Sequence, residues 1–293
     1  MNRQKSFEQD GPALLLIPSP IGNLSEVSDR VREAIESCDV IACEDTRNTG
    51  KLLSLLGFRK PLISHHEHNQ SVSIPKILEE LSSGHKVGVM SDAGYPVISD
   101  PGQNLVRAAT EKNWPVISFS GPNAAINALV ASGLDARHYL FYGFLDAKSG
   151  KRKKELEELR TVPWTLVFYE APHRIVDTLE DMVEVFGDRP ACLARELTKK
   201  FEEYLRGTLQ ELLSAAGDGL KGEMVLVVAG CEPEQVSTEA AITRVMALTA
   251  QGMKQKAAAK QVAAETGLSA NELYRLVLQR PKPGEEDTEI PNR

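Results

Sequence analysis

The sequence predicts an α/β fold built from two successive α/β domains and a small helical unit at the C-terminal end. Three observations predict it. Short apolar runs and amphipathic stretches alternate five times between residues 13 and 131, as in a mostly parallel sheet with helices on its faces. From residue 139 the strand-like runs crowd together, which favours α+β with some antiparallel pairing. After residue 237 the apolar period becomes purely helical.

The first block contains predicted strands at 13–17, 39–43, 61–64, 85–90 and 115–119. Between them, Val27, Val31, Ala34, Ile35 and Cys38 share one helical stripe, and 46–56 reads as a helix stopped at Gly57. Ile74, Ile77, Leu78 and Leu81 mark a third helix. A fourth starts at Pro101 with Asp100 as its cap, and a fifth spans 122–131 with Pro122 at its first position. The second block has predicted strands at 139–144, 164–169, 191–195, 201–207 and 223–229, and a helix at 175–186. The last unit reads as three helices near 239–250, 254–265 and 270–279. Gly267 ends the second of these, and Ser269 with Glu272 forms a capping box for the third, giving a helix-turn-helix pattern. The expected domains are 13–135, 136–230 and 238–280, with 1–12 and 281–293 disordered.

Composition narrows the function. With 34 Lys and Arg against 41 Asp and Glu, the net charge of −7 excludes blanket coating of nucleic acid. Any RNA contact must come from local basic patches. Two exist: Lys148, Lys151, Arg152, Lys153 and Lys154 at the domain junction, and residues 238–280, where six basic side chains face three acids. The junction run also reads as a solvated helix start. The four cysteines form no CxxC, and the polar first twelve residues do not read as a signal peptide; a reducing cytoplasm is expected. Apolar runs are too short to span a membrane.

Chemistry is expected in the loops beyond strand ends, where open α/β sheets bind ligands. Neither G-x-G-x-x-G nor G-x-x-x-x-G-K-[ST] occurs, which argues against dinucleotide and P-loop sites. Glu44-Asp45-Thr46-Arg47 either caps a helix or sets a carboxylate and a guanidinium at the mouth of a cleft. His65-His66-Glu67-His68-Asn69 lacks the partners of a zinc site, so no metal is expected, and the loop reads as a hydrogen-bonding or proton-accepting segment. Ser91-Asp92-Ala93-Gly94-Tyr95-Pro96 is the most distinctive stretch: small, fixed and rich in exposed backbone.

PSPIGN, EDTR, HEHN, SDAGYP, GPNAA, YEAPHR, RELTK and KGEMVLVV follow one another in an order that resembles the ribosomal RNA small subunit methyltransferase I family, of the tetrapyrrole-methylase fold. The resemblance covers residues 13–230 and extends into the helical unit; Tyr95 and Ser19 depart from it, standing where Thr is common. It implies a class III, two-domain, S-adenosylmethionine-dependent methyltransferase acting on the ribose 2′-oxygen of a decoding-site cytidine of 16S rRNA, cytidine 1402 in the family. It also implies a homodimer. Carried onto this chain, the cofactor would meet Pro20, Gly22, Asp92, Ala93, Gly94, Pro96, Ile98 and Ala124, and from the second domain Glu170, Leu197, Met224 and Val225.

A sulfonium donor brings its own activated methyl, so the protein's task is largely to hold donor and acceptor in line at about 3–3.5 Å. The hydroxyl needs a base. Among His66, His68, Glu44, Asp45 and Glu196, the clustered loops favour Glu44 and His66; Arg47, Arg195 and Lys199, with Lys151 and Arg152 of the basic run, are expected to meet RNA phosphates. Competing readings are a tetrapyrrole or diphthine-type methylase of the same fold, and a ligand-sensing DNA-binding regulator.

Overall fold

The computed structural model of the protein describes residues 4–6, 11–217, 219–232 and 237–280. The tail expected to be disordered from residue 281, and most of 1–12, lie outside the described residues. The chain divides into two units, Met1–Ala229 and Gly230–Arg293.

In the first half β1 (Leu14–Leu16), α1 (Asp29–Ser37), β2 (Val40–Cys43), α2 (Thr46–Leu55), β3 (Leu62–Ser64), α3 (Gln70–Ser82), β4 (Val87–Met90), α4 (Gln103–Glu111) and β5 (Val116–Ser118) alternate as the periodicity predicts. The strands form one parallel sheet in the order β3-β2-β4-β1-β5. Period-two alternation sends Leu15, Ile17 and Ile41 to one face, against Val31, Ile35 and Leu53. Leu14, Ala42, Val87 and Val89 go to the other, against Ile77, Leu81 and Leu105. Both faces are covered, which is why these strands read as unbroken apolar runs.

Two predicted helix starts need correction. α4 begins at Gln103 with Gly102 at the cap position, so Asp100 caps nothing and stays in the loop. Asn123, whose side chain accepts from the Ile126 N–H, caps α5 (Ala124–Ser132), which puts Pro122 before the helix instead of at its first position.

The second half runs β6 (Tyr139–Phe144), α6 (Ser149–Leu159), β7 (Thr165–Glu170), α7 (Ile175–Phe186), β8 (Pro190–Arg195), β9 (Glu203–Thr208), α8 (Leu209–Ala216) and β10 (Met224–Val228). Its sheet has the order β6-β7-β10-β8-β9. β6 and β7 are parallel; the other pairs are antiparallel, as the close strand spacing predicts. α8 escaped the periodicity reading, although Thr208 and Glu211 form a reciprocal capping box at its start. One face of this sheet packs under α6, α7 and α8 through Leu156, Leu179 and Leu212. The other packs against α5, where Ala125, Ala128 and Leu129 meet Val167, Ala194 and Val227. A helix that follows the first sheet thus covers the second.

In the second unit α9 (Thr238–Ala250), α10 (Gln255–Thr266) and α11 (Ala270–Leu278) enclose Ile242, Val245, Ala258, Val262 and Leu273. Gly267, at φ 72°, ends α10, and Ser269 Oγ accepts from the Glu272 N–H, the forward half of the predicted box. Among the described residues no helix is long and apolar enough to cross a membrane.

Candidate active site

Loops from both sheets of the first unit converge on a cleft of about 350 Å³, within the size range of small-ligand sites. One wall comes from Ile21 after β1, residues 92–95 and 98–100 after β4, and Asn123 with Ala124 at the start of α5. The other comes from Phe144, Tyr169, Glu170, Leu197, Glu223, Met224 and Val225.

The first wall is laced together by backbone. Ser19 and Gly94 exchange two N–H to carbonyl bonds of 2.8 and 3.0 Å, and Ser19 Oγ donates to the Ser91 carbonyl at 2.6 Å. The Tyr95 hydroxyl accepts from the Gly121 N–H at 2.9 Å and so ties two loops together. Gly121 is obligatory for a steric reason: a Cβ there would lie 2.3 Å from Pro18 Cγ.

The second wall is held by charge. Lys199 Nζ donates to Glu196 and Glu223 at 3.0 Å each. Lys199 also abuts the first wall, since a Cβ on Gly22 would fall 2.4 Å from its Cγ. Val97 and Ser99 on one side, and Glu196 and Thr198 on the other, sit at φ of 79°, 58°, 50° and 65°. Such left-handed conformations cost of order 1–3 kcal/mol for non-glycine residues and persist where the surroundings over-determine them.

Four carboxylates border the cleft, and they differ. Glu170 is buried and satisfied, accepting from Thr178 Oγ1 at 2.6 Å and the Ala171 N–H at 2.7 Å, with Arg174 Nε 3.2 Å away. Glu223 is held by Lys199. Asp92 is exposed and accepts from Asn48 Nδ2 at 2.7 Å. Asp100 is half-buried and, among the described residues, paired with no cation; burial foremost, then the charges of Glu44 and Asp92, push its carboxyl up to about 6, against a smaller opposing pull from Ser91. Asp100 also borders a second space of about 10 Å³, shared with Glu44, His65, Ser91 and Pro96. His65 is only 2% exposed; its Nδ1 meets Ser73 Oγ at 2.8 Å, and its Nε2 is buried with no protein partner. Burial lowers its pKa.

Of the cofactor residues expected from sequence, Asp92, Ala93, Gly94, Ile98, Ala124, Glu170, Leu197, Met224 and Val225 line the cleft together. Pro20 and Gly22 flank Ile21, which lines it in their place. Pro96 is buried in the small space behind. Glu44 borders that same space, whereas His66 lines neither; its backbone N–H donates to Asn69 Oδ1, and the histidine of this loop that reaches the site is His65. Sequence reasoning missed Asp100, His65, Phe144, Tyr169 and Glu223. For Asp100 the signal was present, an acid beside the most distinctive loop, but it was read as a helix cap.

The residues expected to meet RNA fare unevenly. Arg152 requires correction: it is 2% exposed, its Nε and Nη2 both lie 2.7 Å from Asp181 Oδ2, and Nη2 also donates to the Asp177 carbonyl, so it is enclosed between α6 and α7 and unavailable to phosphate. Lys151, on the outer side of α6, is exposed, with Asp146 3.5 Å from its Nζ. Arg47 is exposed and bound through two nitrogens to Asp45, which also caps α2 and whose carboxyl that guanidinium holds at about 2. Arg195 pairs with Glu203.

A family model described as Tetrapyrrole (Corrin/Porphyrin) Methylases matches residues 13–213, and one described as RsmI C-terminal HTH domain matches residues 236–281. The chain is 42% identical over 284 residues to the ribosomal RNA small subunit methyltransferase I of Bacillus subtilis (strain 168), covering 94% of this chain and 97% of that one. The protein of the same name from Mesorhizobium japonicum is 42% identical over 271 residues, 92% of each chain. Among solved structures, the methyltransferase CobJ superposes with a TM-score of 0.58 at 17% identity, covering 77% of this chain and 97% of that one. Uroporphyrin-III C-methyl transferase from Thermus thermophilus, complexed with S-adenyl homocysteine, gives 0.52 at 16% identity over 73% of this chain and 96% of that one. The fold is therefore that of the tetrapyrrole methylases, and by its near-full-length relatives the chain belongs to the ribosomal RNA small subunit methyltransferase I family.

Proposed function

We propose that the protein transfers a methyl group from S-adenosylmethionine to the ribose 2′-oxygen of a decoding-site cytidine in 16S rRNA. The observation that carries the reading is the meeting of the SDAGYP, GPNAA, YEAPHR, RELTK and KGEMV segments at one cleft.

The residues present fit the donor. The donor is a cation whose adenine presents flat apolar faces; the cleft offers the exposed Asp92 without a cation partner among the described residues, beside Ile98, Leu197, Met224 and Val225. When bound, S-adenosylmethionine supplies an activated methyl on a sulfonium. Asp92, with the backbone of Ala93 and Gly94, orients the methionine part, and Ala124 leaves room by its small size. Leu197, Met224 and Val225 exclude water from the adenine side. The lacing of the first wall and the Lys199 clamp of the second fix the two halves of the cleft, so positioning needs little rearrangement.

Lys151 on α6, Arg47 in the first turn of α2, and the exposed Lys254, Lys256 and Lys260 of the second unit supply phosphate contacts. The reading includes a homodimer in the cytoplasm, acting on the small ribosomal subunit. The test is transfer of labelled methyl to small-subunit particles from cells lacking the modification, with the product nucleotide mapped. Label at a cytidine 2′-oxygen is the expected result. Label only on a tetrapyrrole or a modified histidine, or retention on duplex DNA without transfer, would replace the reading.

A further inference from the structure

We propose that Asp100 accepts the proton of the attacking ribose hydroxyl, with His65 as a positioning residue behind it. The proposal rests on the 2′-oxygen reading above and adds the group that moves the proton.

Elimination within the cleft leads there. Glu170 is held by hydrogen bonds from Thr178 and Ala171 and is ion-paired with Arg174, and Glu223 is taken by Lys199. Asp92 is exposed and held by Asn48. Asp100 alone of the four borders both the cleft and the small space behind it. Its carboxyl, raised by burial foremost, also feels the charges of Glu44 and Asp92, and its own charge adds to burial in raising the Tyr169 phenol, which lines the opposite wall. It therefore stands between the two walls. The rear space, about 10 Å³, is the size of one water. A water there would bond the orphaned Nε2 of His65 and the back of the Asp100 carboxyl, with Ser73 fixing the imidazole from its other nitrogen.

The step balances. The hydroxyl oxygen's electron pair forms the bond to the methyl carbon, the pair of the breaking C–S bond stays on sulfur, and the hydroxyl proton passes to a carboxylate oxygen of Asp100. It then leaves to solvent from the half-buried carboxyl. A carboxylate with pKa about 6 is mostly ionised at neutral pH yet basic enough to help.

The experiment compares wild type, Asp100→Asn, Asp100→Glu and His65→Phe on small-subunit particles. Asp100→Asn is expected to lower kcat at least about 100-fold, with donor affinity by calorimetry within about threefold and the acid limb of the pH–rate profile lost; Asp100→Glu restores part of the rate. His65→Phe is expected to shift that limb and lower kcat with KM unchanged. Calorimetry at pH 6 in buffers of different ionisation enthalpy gives a readout without turnover: wild type releases a fraction of a proton on binding S-adenosylmethionine, and Asp100→Asn releases none. Turnover of Asp100→Asn within threefold of wild type, or an unchanged acid limb, overturns the proposal. The position of the methyl on the wild-type product tests the functional reading separately, whichever way the variants fall.

Discussion

Arg152 and Asp181 meet at 2.7 Å with side chains 2% and 8% exposed, locking α6 onto α7. Removing one partner of a buried pair leaves a charge without compensation and costs about 3–5 kcal/mol. Arg152→Ala should therefore lower the urea midpoint sharply while leaving particle affinity, per folded molecule, unchanged. Lys151→Ala should do the reverse, with stability within about 0.5 kcal/mol and weaker particle binding. Equal behaviour of the two variants would contradict the assignment of Arg152 to the core.

Gly121 approaches Pro18 too closely for any side chain. Proline cannot swing aside, so Gly121→Ala must displace one of the two loops that line the donor wall, at about 1–3 kcal/mol. Calorimetry should report at least a tenfold loss of S-adenosylmethionine affinity. Unimpaired binding would mean that the loops are not held as a unit.

Asp100 links function to stability with a definite sign. Its folded pKa, about 6, lies above the ordinary carboxyl value of 3.8, so between these values the folded state binds more protons than the unfolded one. Stability contributed by this group is highest at low pH and is lost as pH rises through 6. Asp100→Asn should thus be more stable than wild type at pH 8, by on the order of 1 kcal/mol after solvent screening. The gain should fade as pH falls from 6 toward 4. A pH-independent difference in Tm would refute the assignment.

The second unit carries Lys254, Lys256 and Lys260 on exposed positions. Ending the chain after Gly230 should weaken binding to the small-subunit particle, with donor affinity within about twofold. Filter binding of the full chain should also weaken steeply with added salt, as counterion release requires. Salt-insensitive binding, or a truncated protein that binds particles as well as the full chain, would remove the basic unit from the interface.

The parallel sheet was legible because both of its faces are buried, and α7 was legible because Ile175, Leu179, Met182 and Phe186 fall on one stripe. α8 was not, since its eight residues are too short to establish a period. The lining of the cleft was legible from motif order. Two features were not, each for a physical reason. Asp100 followed by proline and glycine looks like a cap, whereas the chain, left-handed at Val97 and Ser99, carries it onto the lining of the cleft. Arg152 sits in a run of positive charges, and composition cannot tell that a neighbouring helix supplies Asp181 to take it inside.

The strand order of the second sheet has a consequence for biosynthesis. β10 is the last strand translated, yet it lies between β7 and β8. The first sheet is complete in sequence by Ser118, whereas the second lacks its central strand until Val228 has left the exit tunnel. Met224 and Val225, at the head of that strand, also complete the lining of the cleft. A nascent chain stalled short of them would expose the flanks of β7 and β8 as open edges, and would have no use for its methyl donor.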